Sequence, residues 1–276
     1  MFKLFRDTVK ITNENIILAT PLILFMWILS VYISFSKAAV TSFPLLVLSF
    51  VTVIFMTGAF FAGWFYMVKK AVKLSRRLVF VLDSDRAKAT LKLLKTIPSG
   101  IGKYFLSFVG MIIFSIFIFS IVATLVFNIG MVLIGDIGLD PAQVKDVLAA
   151  NIDMKVFLNS LTFEQLIKLN NWNLLLLAMT SLLSFLFMLW IPEIVFQTRN
   201  PFVALLRSIK KIFVKFGKSL KLFIFMTVLN FVLSFVNTFS ILNPILYFIM
   251  MVIYFYFLVY LVVLIFFYYD SEFEEQ

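Results

Sequence analysis

The sequence predicts an all-α polytopic membrane protein. Six transmembrane helices are arranged as three hairpins, each preceded by a basic amphipathic interfacial helix, with a small helical extracytoplasmic cap. Three observations lead there. Of 276 residues, 63% are hydrophobic and only 14% are charged, against about a quarter charged in a soluble domain. Several apolar runs exceed about 18 residues, enough to cross a hydrocarbon core of roughly 30 Å. Basic residues gather in alternate connections between those runs, the asymmetry that orients membrane proteins.

The spans read as 15–36, 43–68, 104–134, 173–198, 219–239 and 243–269. The first is long enough to cross and is followed by no Ala-x-Ala-like site, so it is expected to remain as a span rather than be cleaved. The second carries Gly58, Ala59, Ala62 and Gly63 in "MTGAFFAGWF", a small-residue face suited to close helix packing. The third is overlong: a helix of that length measures about 46 Å, so it must tilt, bend or project. Trp27, Trp64, Trp172, Trp190 and the Tyr268–Tyr269 pair are spread among the spans, and those near span ends suit interface anchoring.

The connections set the orientation. Lys69 to Lys103 holds ten Lys and Arg against Asp83 and Asp85, and Arg199 to Lys221 holds seven and no acid. Lys3, Arg6 and Lys10 precede the first span, whereas Asp136 to Trp172 carries three Lys against five acids. Both termini and both basic loops are therefore expected to be cytoplasmic, in the inner cell membrane. The acidic tail "DSEFEEQ" weighs little in that rule.

Each basic segment has helical periodicity. In 201–218, Asn200 can cap, Pro201 fits the first helical position, and Phe202, Leu205, Leu206, Ile209, Ile212, Phe213 and Phe216 share a face away from Arg207, Lys210, Lys211 and Lys218. A weaker version covers 85–97, with Ser84 or Asp85 as cap and Pro98 as its expected stop, and a fainter one covers 2–12. The first two align at an offset of 115 residues: Lys95 with Lys210, Gly102-Lys103 with Gly217-Lys218, Phe108 with Phe223. This reads as an internal repeat of helix plus hairpin; a biased composition with 36 Phe is the alternative source of such matches. The long outer connection, 136–171, has helix starts at Asp140-Pro141 and at the capping box Thr162-Phe163-Glu164-Gln165, predicting two or three short helices.

Cys and His are absent. That excludes disulfides, thiolate nucleophiles, imidazole bases and the usual zinc sites, and no phosphate-cradling glycine loop occurs. No cofactor and no metal are expected. The outer acids Asp136, Asp140 and Asp153 lack a partnered base or nucleophile, so an enzyme is the weakest expectation. The net charge of +10 sits in the cytoplasmic loops, which points to anionic lipid headgroups or a protein partner rather than nucleic acid. The candidate binding residues are Arg207, Lys210, Lys211, Lys218, Lys92, Lys95 and Lys103. The leading expectation is a non-enzymatic module engaging such headgroups or a partner; the alternative is a transporter or flippase-like permease for a lipid or small solute.

The polar residues inside the spans bear on that choice. Glu193 directly follows Pro192, which should bend the fourth span. It is expected to be ionised at the cytoplasmic interface, within reach of Arg199 or a cation of the 201–218 helix, with a proton or substrate site as the other reading. At the interface, Glu193→Gln is expected to cost about 1–2 kcal/mol. Asn230, Asn237 and Asn128 lie deeper and are expected to hydrogen-bond between helices or, less simply, to line a site.

The stretch "WIPEIVFQTRNPFVALLRSIKKIFVKFGKSLKLF", a short outer turn and a last span ending "FFYYD" resemble the C-terminal half of a bacterial six-helix membrane family. That family includes the membrane domain of some glycerophosphodiester phosphodiesterases and stand-alone relatives. The resemblance lies in Pro192-Glu193 and in Pro201, Ala204, Leu205 and Ser208. It implies an all-helical membrane module. It carries over no phosphodiesterase chemistry, since the soluble barrel and its histidines are missing.

Overall fold

The computed structural model describes residues 2–77, 90–149, 153–240 and 243–274, and every regular element among them is helical. The expected caps Ser84 and Asp85, and the 85–89 part of the second amphipathic helix, lie outside the described residues. Six helical stretches are long and apolar enough to cross a membrane: Ile16–Ala39, Phe43–Ser75, Thr90–Leu133, Phe163–Phe196, Phe216–Thr238 and Ile245–Glu274. Phe35, Phe117, Phe231 and Val132 are among many exposed large apolar side chains. In water such a surface would drive aggregation. Against hydrocarbon it is the matching surface, and each helix satisfies its own backbone. The protein is a polytopic helical membrane protein.

The chain forms two compact units, Met1–Phe114 with Leu186–Gln276, and Ser115–Phe185. The first unit opens with α1 (Phe2–Glu14), whose Lys3, Arg6 and Lys10 are exposed while Thr8, Ile11 and Thr12 are buried. A short turn leads to α2 (Ala19–Ala39), and α3 follows (Phe43–Arg77). The second span therefore continues two turns beyond its expected end at residue 68, because Val68, Ala71 and Val72 are still buried. Trp64 is interior rather than interfacial: its indole N–H donates to the Leu18 carbonyl at 2.8 Å.

The small-residue face of α3 does close a helix crossing. A Cβ on Gly63 would lie 2.7 Å from Ile97, and one on Gly100 would lie 2.7 Å from the Ala62 carbonyl. The partner is α4 (Ile97–Leu133). Pro98 corrects its expected role. Residues 90–94 are helical, 95–96 turn, and Pro98 sits in the first turn of α4 instead of ending the preceding helix. A first-turn proline sacrifices no helical hydrogen bond, so the third span starts near 97 rather than 104.

The second unit holds the rest of α4 and two short helices, α5 (Pro141–Leu148) and α6 (Met154–Ser160), followed by α7 (Phe163–Phe187). Asp140 and Asp153 cap α5 and α6 by accepting from the N–H groups of Ala142 at 2.9 Å and Lys155 at 2.7 Å. The Thr162–Gln165 capping box forms in both directions. It starts the long α7, however, rather than a third short helix, because the apolar run continues without a break. Gly135 and Gly138 adopt φ of 80° and 70°, the left-handed conformation that glycine supplies at a helix end. Trp172 donates to the Gly135 carbonyl at 3.2 Å and fixes that turn.

Returning to the first unit, α7 ends at Phe187, and α8 (Trp190–Phe196) begins after a two-residue turn at Met188 and Leu189. The break lies one turn before Pro192, for a simple reason. The missing N–H and the ring of a proline act on the carbonyl four residues earlier, here that of Met188. The 201–218 helix also divides, into α9 (Pro201–Val214) and α10 (Phe216–Ser240), at Lys215, whose φ of −116° and ψ of 41° leave helical geometry. Asn200 caps α9 as expected, accepting from Phe202 and Val203. The last helix, α11 (Pro244–Tyr269), packs against α1, α2, α3, α8 and α10 and is the hub of this unit. Tyr268 and Tyr269, expected as interface anchors, are buried.

Candidate functional site

The interior of the first unit centres on α8. Glu193 has no exposed surface, so its carboxylate does not face water as expected. Its partner is nonetheless a cation of the 201–218 segment: Lys211 Nζ lies 2.7 Å from Glu193 Oε2. The Tyr269 hydroxyl donates to the same oxygen and accepts from Lys211. Three helices, α8, α9 and α11, thus meet at one carboxylate. Arg199 takes no part; its guanidinium lies 5.9 Å from the ring centre of Tyr104. Glu193 Oε1 is buried without a hydrogen-bond partner among the described residues.

Two residues on, the Val195 carbonyl accepts from Lys69 Nζ at 2.7 Å and from the Tyr104 hydroxyl at 2.9 Å. The last turn of a helix leaves carbonyls without intrahelical partners and carries partial negative charge. A lysine from α3 and a tyrosine from α4 satisfy both needs. Lys69 also sits over the Phe196 ring at 4.6 Å. Trp190 anchors the other end of α8, donating to the Pro201 carbonyl at 2.7 Å. The short helix is held in the middle and at its C-terminal end by side chains from other segments, and at its start by its own Trp190.

The C-terminal tail adds a second cluster. Residues Asp270–Glu274 continue as one wide helical turn. Glu272 Oε2 is 2.8 Å from Lys215 and Oε1 is 2.8 Å from Lys218. Glu274 pairs with Lys73 at 2.7 Å, and Lys211 and Lys215 both approach the Phe273 ring.

The expected basic surface is therefore divided. Lys211 points inward and Lys218 is taken up by the tail. Arg207, Lys210, Lys92, Lys95 and Lys103 are exposed, as is Lys221, and none of these has a carboxylate partner among the described residues. Asn230 and Asn128, expected between helices, are exposed on their units. Asn237 is exposed too and lines a shallow cleft with Tyr247 and Tyr254. No group of three or more acidic side chains placed to hold a metal occurs among the described residues.

Sequence reasoning missed Tyr269, Lys69, Tyr104, Glu272 and Glu274. A signal existed for Glu272: the chain's densest acidic stretch complements the acid-free basic segment that holds Lys215 and Lys218, whereas Glu274 meets Lys73 of the other basic segment. For Lys69 and Tyr104 there was none, because their acceptor is a backbone carbonyl far along the chain. The fold and site define a polytopic helical membrane protein with a buried carboxylate hub beneath a basic surface. No protein-family profile, curated protein or solved structure matches the chain.

Proposed function

We propose that the protein is a non-enzymatic membrane module that engages anionic lipid headgroups at the cytoplasmic leaflet. The observation that carries this is the set of exposed cations on α9 and its neighbours without a carboxylate partner among the described residues: Arg207, Lys210, Lys221, Lys103 and Arg199. On α9, Arg207 and Lys210 lie away from the buried face of Ala204, Leu205, Ser208 and Ile212. An amphipathic helix docked at the ends of spans presents its charges at headgroup depth. Each such cation contributes about 1 kcal/mol of attraction to an anionic leaflet. The buried hub supports a scaffolding role, since it fixes α9 to α8 and α11. The positive-inside distribution assigns this face to the cytoplasm.

The test is reconstitution of the full chain with phosphatidylglycerol or phosphatidylcholine, comparing wild type with Arg207→Gln/Lys210→Gln. Preferential retention of the anionic lipid that weakens in the variant is expected. Equal retention of both lipids by the wild type would refute the reading.

A transport reading draws on two features, the break before α8 and the unpartnered Glu193 Oε1. Broken helices beside a carboxylate occur at transporter sites. Against it, Lys211 and Tyr269 already occupy the carboxylate, and Asn230 faces outward. Proton uptake by proteoliposomes that disappears with Glu193→Gln would favour transport over the scaffold role.

A further inference from the structure

Between the first turns of α4 and the link from α8 to α9 lies an open cleft of about 690 Å³, lined by Gly102, Lys103, Leu106, Ser107, Arg199 and Pro201 among others. Two cations converge there from segments distant in sequence. Lys103 Nζ lies 5.3 Å and the Arg199 guanidinium 5.9 Å from the centre of the Tyr104 ring. That ring is held in place by its hydroxyl bond to Val195. Neither cation has a carboxylate partner among the described residues. The ring attracts each cation but neutralises neither, so the cleft carries two positive charges for an anion to meet.

The sequence match at an offset of 115 residues offers a local comparison. Lys218 matches Lys103 at the offset of 115. Lys218 and Lys215 together grip both oxygens of the Glu272 carboxylate. Gly217 and Gly102, the glycines before each lysine, both open onto free space, with nothing within 4 Å of where a Cβ would stand. One Gly-Lys pair thus lies beside an anion supplied by the chain itself, and the other beside a cleft whose two cations have no carboxylate partner among the described residues.

We propose that this cleft is a subsite for the phosphate of an anionic phospholipid, with Lys103 and Arg199 as its donors. The fork of an arginine and the point charge of a lysine suit a phosphate's several acceptor oxygens. The neighbouring apolar surface selects a lipid over free phosphate. Leu106 is 80% exposed and Phe202 is 52% exposed, so an acyl chain has a surface beside the headgroup. The proposal rests on the lipid-engaging reading and gives it a location.

The experiment is native mass spectrometry of the purified full chain titrated with phosphatidylglycerol, phosphatidylcholine or inorganic phosphate. Wild type is expected to retain phosphatidylglycerol preferentially. Lys103→Gln and Arg199→Gln should each weaken retention about fivefold, the size of one cation's contribution near an anionic surface. Gly102→Leu should weaken it comparably while keeping every charge, because its Cβ meets nothing within 4 Å and the longer side chain takes up space in the cleft. Leucine also favours the helix over glycine, so this variant keeps the test valid if the charge variants fold poorly. Wild-type retention in the cleft variants, with loss only in Arg207→Gln/Lys210→Gln, would overturn the cleft and leave the broader reading intact. Displacement of the lipid by equimolar inorganic phosphate would overturn the lipid assignment. No discrimination between the two lipids by wild type would overturn both.

Discussion

The Glu193–Lys211 pair permits a prediction whose size follows from burial. Breaking a buried pair by removing one partner costs about 3–5 kcal/mol, while an exposed pair is worth about 0–1 kcal/mol. The two partners here differ. The Glu193 side chain is 1% exposed and the Lys211 side chain 24%. Glu193→Gln strands an ammonium that water partly reaches and keeps an amide oxygen for Tyr269, so the expected loss is about 2–3 kcal/mol. That exceeds the 1–2 kcal/mol expected for an interfacial residue. Lys211→Met strands a carboxylate with no water and only Tyr269 to donate, so the loss should be larger, about 3–4 kcal/mol. The double variant removes both charges and should recover about 2 kcal/mol relative to the sum of the singles. The assay is reversible unfolding of the full chain in mixed detergent micelles, run as a double-mutant cycle. Additive single effects of under about 1 kcal/mol, or Glu193→Gln costing more than Lys211→Met, would refute the reasoning that the stranded charge sets the cost.

Further outcomes follow from other contacts. Glu272→Gln should leave stability within about 1 kcal/mol, as its pairs are partly exposed. It should also raise retention of phosphatidylglycerol about fivefold by freeing Lys215 and Lys218; unchanged retention in the native-mass assay would show that the tail does not compete. Gly100→Leu should lower the thermal midpoint and cost about 3 kcal/mol or more, since its Cβ would press on the Ala62 backbone at 2.7 Å, beyond ordinary overpacking; Gly102→Leu, two residues on, should not. Tyr104→Phe should cost about 1 kcal/mol in the same measurement, because Lys69 still satisfies the Val195 carbonyl. Orientation can be read with single cysteines, as the chain has none. A membrane-impermeant thiol reagent should label Lys145→Cys in intact cells and Lys210→Cys only after permeabilisation; the reverse order would invert the topology.

The sequence by itself determined the fold class and the span count, because crossing hydrocarbon demands long apolar stretches of helix-forming chain. It determined the local starts as well: Asn200, Asp140 and the Thr162–Gln165 box cap helices through bonds made within three residues. Helix ends were less legible. Pro98 opens a helix rather than closing one, and Lys215 interrupts a periodic stretch, because packing on either side chooses between local geometries of similar energy. Glu193 was legible as an unusual acid, and its partner was narrowed to the right segment. Only the tertiary structure decided that it is buried, that Lys211 rather than Arg199 meets it, and that Tyr269 joins them. It also decided that Glu272 covers Lys215 and Lys218 while Lys103 and Arg199 have no carboxylate partner among the described residues. The physical reason is that charge pairing depends on distances between segments, which helical periodicity does not encode: a wheel assigns Lys210 and Lys211 to one basic face, but the packing of α8 and α11 against α9 draws Lys211 inward and leaves Lys210 exposed.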